Sequence, residues 1–137
     1  MPGVNMSKKN IVYLDTNIIL RFLIGDGGEL ADKAKDIFKK IESGDLTAFC
    51  NDAVFAEIVF VLQKVYNVEK NLIKESLENI IYMSEFYVDN KEVALKALTI
   101  FVENRIDIVD SLLIAYNNVS DINVLSFDKK LNNMLKT

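Results

Sequence analysis

A regular alternation constrains this chain more than any other feature. Short, almost continuous apolar runs at residues 10–15 (NIVYLD), 46–50, 86–88 and 123–127 are separated by longer stretches with helical periodicity. Strands that are apolar along their whole length are buried on both faces, and strands that alternate with helices pair in parallel. The pattern therefore predicts a parallel sheet covered by helices on both sides. Residues 18–24 read as a short apolar helix, and residues 29–43 place Leu30, Ala34, Ile37, Phe38 and Ile41 on one stripe, ended by Gly44. A very apolar helix follows the cap at Asn51-Asp52 and runs to about Tyr66. Residues 69–84 and 90–103 read as two more helices, a further one begins near Asp107, and the last follows Asp128. In such sheets, ligands bind beyond the carboxyl ends of the strands.

Half of the 137 residues are apolar, enough for one compact core, so a single domain over 1–137 is expected, with 1–9 as a flexible lead. The opening MPGVNMSKKN is too short and polar for a signal peptide or a membrane anchor. The lone Cys50 excludes an intrachain disulfide and suits a reducing cytosol. With no histidine in the chain, Ser-His-Asp and Cys-His nucleophile systems are excluded, as is the commonest zinc ligand set. Chemistry must run on carboxylates, hydroxyls, amines or a bound ion. The net charge of −4 argues against a broad basic surface for nucleic acid.

Five acidic residues stand in unusual company. Asp15 closes the first strand in Leu14-Asp15-Thr16-Asn17, where its carboxylate faces the ligand crevice or caps the next helix. Glu57 is the only charge in AVFAEIVFVLQ, so it is expected to be at least partly buried and to need a partner, a cation being favoured. Asp107 and Asp110 share one face of a helix's first turn, an arrangement that also resembles a capping box. Asp128, after Leu125-Ser126-Phe127, repeats the Asp15 arrangement, with an N-cap again the local alternative. Taken jointly, these acids can converge at one end of a parallel sheet, where oxygen-rich clusters select Mg²⁺ or Mn²⁺.

The ordered set resembles the PIN-domain ribonucleases, most closely the VapC-type toxins of prokaryotic toxin–antitoxin pairs. The resemblance rests on Leu14-Asp15-Thr16-Asn17, Glu57 in its apolar helix, Asp107-Ile108-Val109-Asp110-Ser111-Leu112-Leu113-Ile114-Ala115 and Ser126-Phe127-Asp128. It implies a three-layer α/β/α sandwich with a mainly parallel sheet. It also implies cleavage of RNA with Mg²⁺ or Mn²⁺, frequent homodimers, and a small antitoxin protein that blocks the site. By the same resemblance Asp15, Glu57, Asp110 and Asp128 match the metal-binding catalytic acids, and Asp107 matches a position where a further acid often stands. Thr16, Asn17 and Ser126 match polar neighbours that orient the carboxylates.

Haloacid-dehalogenase-like phosphatases want a second Asp where this chain has Asn17, and receiver domains want an acidic pair before Asp15 that is absent here. A free-standing PIN nuclease without an antitoxin, or a non-catalytic PIN-like interaction module, would carry much the same sequence. Setting the five acids aside leaves 15 acidic against 16 basic residues, so the acidity is largely concentrated in the expected site.

Overall fold

The computed structural model describes residues 10–136. The strands β1 (Ile11–Tyr13), β2 (Thr47–Cys50) and β3 (Phe86–Val88) form one parallel sheet in the order β1-β2-β3. Among the described residues there are seven helices: α1 (Thr16–Ile24), α2 (Glu29–Ser43), α3 (Asp52–Lys64), α4 (Lys70–Ile81), α5 (Lys91–Glu103), α6 (Ile108–Ser120) and α7 (Lys129–Met134). Three parallel strands joined through helices are consistent with the expected three-layer α/β/α fold. The flexible lead expected at 1–9 lies outside the described residues.

Register sorts the side chains. Val12, Ala48 and Phe86 align across the sheet, and Ala48, Cys50 and Phe86 are buried. Phe38 of α2 joins this face to α1, its ring stacked 4.0 Å from Phe22 and 6.3 Å from Phe86. One residue out of phase, Tyr13, Phe49 and Tyr87 form an aromatic row with ring centroids 5.8 and 5.3 Å apart, and Tyr13 is 75% exposed. Opposite pleats of the same strands thus meet core and solvent, so the burial expected on both faces is incomplete at Tyr13 and Tyr87.

Helix ends follow local chemistry. Asn51 and Asn90 cap α3 and α5 by accepting the Val54 and Val93 amides, each at 3.0 Å. Gly44 ends α2 at φ +87°, a left-handed conformation that favours glycine. Because all three strands point the same way, Asp15, Asp52 and Asp89 follow their carboxyl ends at one end of the sheet.

The strand expected at 123–127 does not form. Residues 121–126 have no regular structure, Leu125 is 95% exposed and Phe127 108%. Side chains rather than a neighbouring strand satisfy part of its backbone. Asn117 Nδ2 donates to the Ile122 carbonyl at 3.0 Å and Asn132 Nδ2 to that of Ser126 at 2.8 Å. Among the described residues, the outer edge of β1 carries no strand.

Candidate functional site

At the carboxyl end of β1 the Leu14 amide donates to the Phe49 carbonyl at 2.9 Å, extending the ladder by one bond before the chain turns into α1. Asp15 occupies the N-cap position of α1, yet its side chain makes no capping hydrogen bond and stands exposed. The next residue, Thr16, is 6% exposed and donates its hydroxyl to Glu57 Oε1 at 2.6 Å. A short bond from a buried hydroxyl to a carboxyl oxygen fixes that side chain's rotamer. Glu57 of α3 is thereby tied to the residue that follows Asp15 in α1.

Glu57 corrects one expectation, its burial: it is exposed, with the Thr16 hydroxyl on its Oε1. Phe55, Ile58, Val59 and Leu62 fill the core, while Ala53, Glu57, Phe60 and Lys64 lie along the outer stripe of α3. Phe60, 58% exposed, made that stripe look apolar in the sequence.

The other three acids form a second group. Asp107 Oδ1 accepts the Asp110 amide at 2.8 Å and Asp128 Oδ1 accepts the Leu131 amide at 2.8 Å, so both cap helices. Ser126 Oγ accepts the Asp128 amide at 2.9 Å and shapes the turn that presents it. Asp110, half-buried, caps nothing. Burial raises its carboxyl above the usual carboxylate range, and the charges of Asp107 and Asp128 raise it further. Asp107 and Asp128 are thus close enough for their charges to act on Asp110.

The two groups are not drawn into one cluster: among the described residues, no three acidic side chains stand close enough to share an ion. Asn17 is exposed and lines a groove with Arg21 and Lys33, away from any carboxylate bond. Sequence reasoning also passed over a set of groups at the same end of the sheet. The Asp52 amide donates to Asp89 Oδ2 at 2.8 Å, and the Tyr116 hydroxyl of α6 donates to Asp52 Oδ2. Burial raises the Asp52 carboxyl, Tyr116's hydrogen bond opposes that, and Asp89's charge adds to it. Tyr116 is pushed up to about 12 by burial and its bond to Asp52, and buried Cys50 likewise to about 12, which leaves an inert thiol. The available signal was Asp89 itself, which follows the strand Phe86–Val88 much as Asp15 follows β1.

The family model described as the PIN domain matches residues 12–136. The chain belongs to the PIN domain family. No curated protein and no solved structure matches it. PIN domains are generally metal-dependent nucleases that act on RNA and use divalent ions. The donor chemistry, carboxylate oxygens alone, is of the kind a hard divalent cation takes. Among the described residues, no helix is long and apolar enough to cross a membrane.

Proposed function

We propose that this PIN domain is a Mg²⁺- or Mn²⁺-dependent endoribonuclease of the VapC toxin type, working in the cytosol. In this reading Asp15, Glu57, Asp110 and Asp128 supply the metal ligands, with Asp107 as an additional one, and the two groups, which stand apart without metal, draw together on binding it. The observation that carries it is the Asp15–Thr16–Glu57 arrangement. At a helix start where an aspartate usually caps, Asp15 leaves its carboxylate outside any hydrogen bond to its own helix, and the buried threonine next to it in the chain holds Glu57.

When bound, the ion supplies a hydrolytic water of lowered pKa. The chain's own residues do the rest. Thr16 orients Glu57, Ser126 shapes the turn that presents Asp128, and Ser111, fully buried, donates to the Asp107 carbonyl at 2.8 Å and fixes the first turn of α6. No imidazole base is required, which accords with a chain that has no histidine.

Sequencing RNA ends after brief expression of the intact protein and of its Asp15→Asn form tests this. Hydrolysis by water leaves a 5′-phosphate and a 3′-hydroxyl that vanish in Asp15→Asn. Cyclic-phosphate ends, or unchanged cleavage by the variant, overturn it. The VapC type further entails a small antitoxin encoded beside it and a homodimer, checked by co-purification and by sedimentation. A free-standing PIN nuclease would cleave RNA without such a partner. The capping roles of Asp107 and Asp128 favour a second reading, a non-catalytic interaction module, which a calorimetric titration showing no Mn²⁺ binding would support.

A further inference from the structure

Positive charge on this acidic chain gathers where the end of α3, the start of α4 and the α5–α6 turn meet. The groove there is lined by Gln63, Lys64, Lys70, Arg105, Ile106 and Asp107. Lys70 Nζ lies over the Phe101 ring at 4.3 Å and donates to the carbonyls of Phe101 and Asn104 at 2.9 Å and of Ile106 at 3.3 Å. Lys130 Nζ, from α7, donates to the Arg105 carbonyl between them at 2.7 Å. Two ammonium groups thus clamp the turn that delivers Asp107, and their donors face the backbone. Lys64 and Arg105 differ. Both are exposed, and among the described residues neither forms an ion pair, whereas Arg21, Lys33 and Lys74 each have a carboxylate partner.

These charges are close enough to act on one another. After burial, the charges of Lys64 and Lys130 lower the Lys70 ammonium, with Asp107 opposing them. Asp107 is the single acid on the groove, against three cations, and its Oδ1 is already engaged by the Asp110 amide. Uncompensated cations with open donors, converging on a concave surface, are a seat for an anion. Lys64 also lies on the stripe of α3 that carries Glu57, two helical turns on, about 10 Å at 1.5 Å per residue. One strand can reach from the acids to the groove.

We propose that this groove seats a backbone phosphate of single-stranded RNA, with Lys64 and Arg105 donating to its oxygens while Lys70 contributes charge and holds the turn. The polymer's identity rests on the nuclease reading above. Arg21, close to Asp15 in sequence, is not part of it, since its guanidinium faces Asp26 at 3.9 Å.

The test is the affinity of the full chain for a labelled single-stranded RNA oligonucleotide in EDTA across a salt series. It compares the parent, the double variant Lys64→Gln/Arg105→Gln, and Lys35→Gln/Lys39→Gln, which removes the same charge from the exposed side of α2. We expect the groove variant to bind about tenfold more weakly, with a salt slope shallower by about 1.4 for two lost contacts, and the α2 variant to match the parent. An unchanged affinity and slope, an equal loss in the α2 variant, or a parent that binds no RNA overturns the groove. Because binding is read without metal, the two readings fail separately. Groove-dependent binding with no cleavage sinks the nuclease alone, and metal-dependent cleavage with groove-independent binding sinks the groove alone.

Discussion

An aspartate at a helix start can serve its own helix or something else, and hydrogen bonds tell the two apart residue by residue. Asp107 and Asp128 each give Oδ1 to an amide of the turn they open, while Asp15, in the same position of α1, gives nothing. Stability should register the difference. Asp128→Ala is expected to cost about 1 kcal/mol, the usual worth of an N-cap, and Asp15→Ala to leave stability within about 0.5 kcal/mol, read as urea midpoints. A loss from Asp15→Ala as large as that from Asp128→Ala would return Asp15 to capping. No sequence rule separates these cases, because Leu-Asp-Thr-Asn and Ser-Phe-Asp-Lys both read as strand, acid, helix. Thr16 is the opposite case. It was legible as a polar neighbour of the acids, and its hydroxyl meets Glu57 across α1 and α3.

Elements were legible where their signals are local. The stripe and Gly44 mark α2 at the residues where it stands, and Asn90 marks the start of α5, because caps and amphipathic faces are written within each helix. The run at 123–127 carries strand residues but makes no strand, since a strand exists only with a partner and Asn117 and Asn132 take up part of its backbone instead. The exposure of Glu57 was hidden for a related reason: Phe60 and Ala53 are apolar residues on the outer stripe of α3. The docking of α6 on α3 depends on a pair no periodicity announces, Tyr116 with Asp52. Tyr116→Phe deletes that donor and leaves an ionised, partly buried carboxylate, a loss of about 1.5–3 kcal/mol at pH 7. Asp52 is raised in the folded state, so the fold binds its proton more tightly than the unfolded chain does. Its contribution therefore strengthens as pH falls toward and through that raised value and weakens above it. The gap between parent and Tyr116→Phe should narrow on acidification, where the carboxyl becomes neutral. Denaturant midpoints at pH 7 and at pH 4 check this, and a gap that widens in acid would break the assignment.

At the scale of the whole molecule, two groupings of like charge stand out. The acids Asp15, Asp52 and Asp89 follow the strand ends, and Asp110 is raised by Asp107 and Asp128, whereas Lys64, Lys70, Arg105 and Lys130 gather round the turn before α6. A fold that keeps like charges together is destabilised by their repulsion, and a bound counter-ion converts that cost into binding. Two consequences follow from mass action, since a ligand that binds only the folded state stabilises it by RT ln(1 + [L]/Kd). Mn²⁺ at about one hundred times its Kd should stabilise the parent by about 2.7 kcal/mol, a rise in Tm of several degrees that EDTA reverses. Asp110→Asn should behave inversely. Without metal it should melt slightly above the parent, because repulsion with Asp107 and Asp128 is gone, and with Mn²⁺ the parent should overtake it. Thermal melts of both proteins, with and without Mn²⁺, read all four values. If Mn²⁺ shifts the two equally, the ion binds away from Asp110 and the acids of α6 serve the fold alone.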